Sequence, residues 1–266
     1  MARPPSLRRL RLRHHARWLL WFRDAPSSNL EVTLGSLAKI RSHMLANPAE
    51  LERPVVVIAG YADPGLYTTL VARELRRLTS RSKADFILPT INPFADIAES
   101  GARAAAQVQR ALADRGLDPG SPVDMVGMSM GGLVSRAAGS GLVEDPITIA
   151  RLFTLGTPHR GAEIADRISP SVASTQMRPG SAFLRGLDAY PVPSETFCFT
   201  TPGDTVIGPE RGVARGATEY RLPGRPGEDH LHIMADPLAL MEIARRLRAE
   251  PGVLTPHATH ATGAPA

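Results

Sequence analysis

The run Gly127-Met128-Ser129-Met130-Gly131-Gly132 sets a serine between glycines, after the mostly apolar stretch Val123-Asp124-Met125-Val126 and before Leu133-Val134-Ser135-Arg136-Ala137-Ala138. The hydrophobic pattern predicts a strand over 123–127 and a helix from Met130 to about Gly139. The G-x-S-x-G pattern therefore falls on a strand-turn-helix, a setting that few folds provide. A serine can stand exposed as a nucleophile at so tight a turn only if its neighbours lack the Cβ atoms that would collide with it. The same turn leaves the Met130 backbone N–H at a helix N-terminus, where it can stabilise an oxyanion. Outside that setting, the hexapeptide would be no more than a glycine-rich helix start capped by serine.

The rest of the chain alternates in the same way. Pro54-Val55-Val56-Val57-Ile58-Ala59-Gly60 is a continuous, β-branched apolar run of the kind that a strand buried on both faces shows. Helical spacing covers Leu30 to Met44 and Leu66 to Leu78, and a long alanine-rich helix is expected from about Ala98 to Arg115. Further strands are expected at Asp85 to Pro89, Ile149 to Leu155 and Thr196 to Thr200, with a last helix from about Pro237 to Arg248. Strands alternating with helices imply right-handed crossovers, hence an α/β fold with a doubly wound, mostly parallel sheet over residues 30–250. Residues 162–190, with Met177, Phe183, Leu184 and Leu187, are too many for a plain connection and are expected to form a helical cap.

A nucleophilic serine needs a base, and the base needs an orienting acid. Of eight histidines, His14 and His15 precede the domain, His43 lies before its first strand, and His257 and His260 close the chain. That leaves His159, just after the 149–155 strand, and the pair His230 and His232 in the stretch before the last helix. The chain order Ser, Asp, His favours that pair. Asp204 follows the 196–200 strand at the Pro202-Gly203 turn and is the preferred acid; it would also suit an Asx turn. Asp188 and Asp229 are its rivals. A second oxyanion donor would come from the loop after the first central strand, where the Tyr61 N–H is the candidate beside the Met130 N–H.

Taken together, Val126 to Arg136, the segment Leu155-Gly156-Thr157-Pro158-His159-Arg160-Gly161, Gly203-Asp204 with Val206, and the His230 stretch resemble the bacterial lipases and esterases of the α/β-hydrolase superfamily, including relatives of the GPI inositol-deacylase type. The likeness covers roughly Pro54 to Arg248. It implies an α/β-hydrolase fold, a Ser129–His230–Asp204 triad, and hydrolysis of a carboxylic ester or lipid without metal or organic cofactor. It also selects His230 over His232, because a few apolar residues and a proline-started helix follow it. His159 would then be structural. Two positions depart from the family pattern: Ala59-Gly60 stands where His-Gly is usual, and Met128 where a histidine usually precedes the serine. A thioesterase, amidase or acyltransferase would use the same scaffold, and a non-catalytic membrane-associated protein could retain it.

Composition bounds the remaining possibilities. With 266 residues, 43% of them hydrophobic and 21% charged, the chain has the makings of one large globular domain. The single cysteine, Cys198, rules out an intrachain disulfide and a cysteine-rich zinc site. Much of the net charge of +5 sits in residues 1–29, where Arg3, Arg8, Arg9, Arg11, Arg13, Arg17 and Arg23 interleave with Leu7, Leu10, Trp18 and Trp21. This basic amphipathic arm suits peripheral contact with anionic lipid, or packing on the domain. No aromatic-basic motif elsewhere points to nucleic acid. No apolar run reaches the roughly 20 residues of a membrane span, and no signal-peptide pattern is found, so a cytoplasmic protein is expected, membrane-associated if the arm meets lipid. Residues 251–266, rich in Pro, Ala, Thr and Gly, are expected to form a disordered tail.

Overall fold

The computed structural model of the protein describes residues 34–63, 65–168, 170–208, 210–223 and 229–257. The basic arm, 1–29, and positions 258–266 of the expected tail lie outside the described residues. Among the described residues six strands form one sheet: β1 (Val55–Ile58), β2 (Phe86–Ile87), β3 (Val123–Met128), β4 (Ile149–Leu155), β5 (Glu195–Thr200) and β6 (Thr218–Arg221). Their spatial order is β2-β1-β3-β4-β5-β6, and every neighbouring pair is parallel. The doubly wound sheet expected from the alternation is therefore present.

Helices α1 (Leu34–Ala46), α2 (Leu66–Leu78) and α8 (Pro237–Leu247) cover one face, while α3 (Ile97–Ala113) and α4 (Met130–Ala138) cover the other. Alternation along β1 divides its side chains between them. Val55 and Val57 join Leu37, Leu75 and Leu238, whereas Val56 and Ile58 join Val108 and Leu133. The alanine-rich α3 presents Ser100, Gly101, Ala104 and Ala105 to the interior, and α4 is buried along its whole length. No helix among the described residues is long and apolar enough to cross a membrane.

The strand order reverses between β1 and β3, because the chain leaves β1 for one edge of the sheet and leaves β3 for the other. Their C-terminal ends lie side by side, with Ile58 in register with Gly127. In open α/β sheets, ligands bind in the crevice at such a switch point. The site described below occupies it.

The opposite end of the sheet holds a buried ion pair. Arg151 on β4 grips Asp124 on β3 with two bonds, Nη2 to Oδ2 at 2.6 Å and Nε to Oδ1 at 2.9 Å, and Arg53 adds Nε to Oδ1 at 3.3 Å. The two-pronged contact satisfies a carboxylate that is 1% exposed.

Three elements differ from the expectation. β6 reads as polar in sequence, Thr-Glu-Tyr-Arg, because it is an edge strand with only Tyr220 stacked on Phe197 and Phe199. The segment 162–190 forms a 3₁₀ turn (Glu163–Asp166) and two short helices, α5 (Val172–Gln176) and α6 (Ala182–Asp188). The tail does not begin at Pro251. Buried Glu242 accepts the N–H groups of Val253 and Leu254, whose side chains pack on the α8 side of the core, and His257 N–H donates to Glu219 O at 2.8 Å. A buried carboxylate is costly without such donors, which ties 251–257 to α8.

Replacing Asp124 with alanine leaves Arg151 buried without its carboxylate. Denaturant titration should show a loss of about 3 kcal/mol or more, while the remote crevice keeps its geometry.

Candidate active site

β3 runs to Met128, and α4 begins at Met130. The single residue between them, Ser129, takes φ 48° and ψ −124°, a backbone state that L-residues rarely adopt. Small neighbours make the turn possible. A Cβ on Gly127 would lie 2.5 Å from the Gly132 Cα, and one on Gly131 would lie 2.4 Å from the Ala59 carbonyl oxygen. The turn is further tied to β4 by the Ser129 N–H, which donates to Leu155 O at 2.8 Å.

Three of the residues marked in the sequence converge on this tip. Ser129 Oγ lies 3.0 Å from His230 Nε2, and His230 Nδ1 lies 2.9 Å from Asp204 Oδ2. A carboxylate only accepts hydrogen bonds, so Nδ1 carries the ring hydrogen and Nε2 is left to accept from the serine hydroxyl. Ser129 and Asp204 are buried and His230 is nearly so.

Asp204 does both jobs that its position in the sequence allowed. Its Oδ1 accepts from the N–H groups of Val206 and Ile207, each at 3.0 Å, as an Asx turn does, while its Oδ2 holds the histidine. The backbone bonds fix the carboxylate plane, and the plane fixes the ring. His230 stands on a short helix, α7 (Asp229–Ile233), whose five residues are too few to leave a periodic signal. Within a helix, residues two apart face nearly opposite ways: His232 is exposed, and His230 points to the serine.

The other sequence candidates have different surroundings. Asp188 accepts from Arg136 Nη2 at 2.9 Å. The Asp229 side chain lies outside the described residues. His159 is buried, with Nε2 3.1 Å from Thr154 Oγ1 and Nδ1 3.4 Å from Arg136 Nη1. Loss of hydration, reinforced by Arg136 and Arg160, pushes its pKa well below the ordinary histidine range, so it stays neutral. Burial also raises the Cys198 thiol. It pushes the carboxyl of Asp236, the N-cap of α8, up to about 7 although Leu238 and Ala239 donate to it. Among the described residues no group of three or more His, Cys, Asp or Glu is placed to hold a metal ion.

Met130 occupies the first turn of α4, where backbone N–H groups lack intrahelical acceptors. Tyr61 lies in the loop after β1, and that loop presses on the serine: a Cβ on Gly60 would come within 3.2 Å of the Ser129 Cβ. The Asp63 carboxylate secures the loop by accepting from the N–H groups of Gly65, Tyr67 and Thr68. The Tyr61 ring meets Phe94 edge-on at 5.2 Å, and its hydroxyl lies 3.3 Å from Ser171 Oγ. Sequence reasoning missed both of these partners, because neither contact leaves a local pattern.

No protein-family model matches the chain, and no curated protein matches it by sequence. Solved structures do match its shape. The mature form of Bacillus licheniformis lipase BlEst2 superposes with a TM-score of 0.54 at 18% identity, over 76% of this chain and 94% of that one. The product of the Listeria innocua gene lin2722 gives 0.52 at 14% identity, over 73% and 92% of the two chains. Aspergillus fumigatus lipase B gives 0.54 at 16% identity, over 84% of this chain and 59% of that one. With its parallel sheet and strand order, the chain has the α/β-hydrolase fold.

The depressed His159 has a consequence for stability. Above the ordinary value of 6.5 the residue is neutral in both folded and unfolded chains and adds no pH dependence. Below it the unfolded chain binds a proton that the folded chain refuses, so stability falls as pH falls, by up to about 1.4 kcal/mol per pH unit. Denaturant titrations at pH 7 and pH 5 should show a smaller loss for His159→Gln than for the wild type. Asp236 contributes with the opposite sign in both proteins and cancels in the comparison.

Proposed function

We propose that this protein is a serine hydrolase that cleaves carboxylic esters through an acyl-enzyme. The observation that carries the reading is the hydrogen-bonded series Ser129–His230–Asp204 at the tip of a strained strand-to-helix turn.

In the first half of the reaction Ser129 Oγ bonds to the ester carbonyl carbon as His230 Nε2 takes the hydroxyl proton. Asp204 stabilises the imidazolium through Nδ1–H, and the N–H groups of Met130 and Tyr61 take up the oxyanion charge. The tetrahedral adduct collapses, the carbon–alkoxide bond breaks, and His230 returns the proton to the departing alcohol. Water then attacks the acyl-serine with His230 again as base, releasing the acid and restoring the serine. No step calls for a metal or an organic cofactor.

The surroundings favour an apolar acyl group. Among the described residues six large apolar side chains are exposed, and five of them, Leu66, Leu88, Phe94, Val172 and Leu231, lie in segments that follow the C-terminal ends of strands. In a parallel sheet those ends share one edge, the edge that carries Ser129. Helix α5 packs against the start of α3 and the segment before it. Gln176 accepts from Ile97 N–H at 2.7 Å and donates to Asp96 Oδ2 at 2.6 Å, and Ala173 N–H reaches Phe94 O at 3.5 Å. We read α5 as a fixed wall beside the crevice. The lipase names of two of the structural neighbours accord with a lipid-like ester.

A p-nitrophenyl ester series from acetate to palmitate tests the reading. The wild type should hydrolyse it without an added acceptor, with a preference above acetate. Ser129→Ala should lower kcat by about 10⁴-fold or more, and Asp204→Asn by about 10³ to 10⁴-fold. Turnover that depends on an added alcohol or thiol would identify an acyltransferase instead, and no turnover by folded wild type would sink the catalytic reading.

A further inference from the structure

The segment Leu155-Gly156-Thr157-Pro158-His159 draws attention in the sequence through its histidine, but the residue that reaches the site is Thr157. Its Oγ1 donates to the Ser129 carbonyl at 2.8 Å, and Thr157 is fully buried. The loop that presents it is fixed on both sides. Gly156, at φ 55°, turns the chain back from β4 with its N–H on Phe199 O at 3.1 Å, and His159 N–H closes onto Thr157 O at 2.9 Å. The turn on β3 is matched to it, because a Cβ on Gly132 would lie 2.1 Å from Thr157 Oγ1. Gly132 must therefore lack a side chain for the threonine to reach its acceptor.

The Ser129 carbonyl and the Met130 N–H are the two ends of one planar trans peptide. Whatever fixes the direction of the carbonyl fixes the N–H, which points the opposite way. The helix start offers the Gly132 N–H to Ser129 O bond, at 3.1 Å, of the three-residue type common at helix ends. Thr157 adds a second bond from a rigid, buried side chain. Two bonds accepted at the carbonyl also polarise the peptide and strengthen its N–H as a donor.

We propose that Thr157 is a positioning residue for the oxyanion donor: by pinning the Ser129 carbonyl it aims the Met130 N–H at the charge that forms in the reaction. This rests on the hydrolase reading above, in which that N–H takes up the oxyanion. Thr157 touches neither substrate nor the reacting atoms, and its effect passes through one peptide group. The two glycine-rich stretches of the sequence, around Ser129 and around Gly156, are thereby parts of one device.

The test compares Thr157→Val, which keeps the shape and removes the donor, with Thr157→Ser, which keeps the donor. For each, kcat and KM on p-nitrophenyl butyrate are measured alongside Tm and the Ki of a trifluoromethyl ketone. That inhibitor adds to the serine as a hemiketal whose oxyanion needs the same N–H groups, while the hydroxyl proton passes to the histidine. Thr157→Val should lose about 10- to 100-fold in kcat with KM changed less than about twofold, and Ki should rise by a comparable factor, since both report transition-state binding. Thr157→Ser should recover to within about threefold of wild type. A folded Thr157→Val with wild-type kcat and Ki overturns the proposal, and so does an equal loss in both variants accompanied by a lowered Tm, which would make Thr157 a packing residue. If the wild type itself turns over no ester and binds no ketone, the hydrolase reading fails and takes the positioning role with it. That outcome is distinct, because it appears before any variant is compared.

Discussion

Ser129 holds a backbone conformation that costs on the order of 1–3 kcal/mol, and much of the molecule is arranged to keep it there. Three layers share the load. Gly127 and Gly131 allow β3, α4 and the end of β1 to meet without side chains between them. The Ser129 N–H is held by Leu155 O, and its carbonyl by Thr157 Oγ1. Beneath them α4 is buried throughout, so the helix cannot tilt to relieve the turn without opening the core. A strained residue survives only where its surroundings over-determine it, and here they do so from both chain directions.

The charge-bearing groups are held in the same manner. Asp204 gives one oxygen to its own turn and the other to His230, so a single carboxylate both shapes its loop and orients the ring. His230 depends in turn on α7, where Ile233 packs against Gly156: a Cβ on that glycine would lie 2.9 Å from Ile233 Cγ2. The loop after β4 therefore supports the histidine on one side and the serine carbonyl on the other. Far from the crevice, the Asp124–Arg151 pair fastens β3 to β4 at the opposite end of the sheet. The two strands that carry the site are thus fixed at both ends.

Much of the fold was legible because its signals are periodic or confined by glycine. β1 is an unbroken apolar run, β3, β4 and β5 are built around apolar residues although they also carry Asp124, Arg151 and Glu195, α2 coincides with its expected span, and α3 begins and ends within two residues of it. Ser129 was legible because strand, glycine and helix together define one turn. Asp204 and His230 followed from chain order and from the family resemblance, and their meeting is a matter of geometry alone. What stayed hidden shares one physical cause, the lack of a local pattern. β6 is a half-covered edge strand, α7 is a single turn, and the fastening of 251–257 depends on Glu242, buried beneath them. Thr157 was hidden by its neighbour: His159, the conspicuous residue, is buried and neutral, while the plain threonine two places earlier reaches the serine.

The central claim is that Ser129 is activated by His230, and covalent labelling tests it most directly. A fluorophosphonate reacts with a serine only when a base removes its proton as the fluoride leaves. Mass spectrometry of the folded wild type should find one phosphonyl adduct, on the peptide that contains Ser129, and His230→Ala should lose it while retaining its fold. A wild type that takes up no label, or carries it on another residue, would contradict the account.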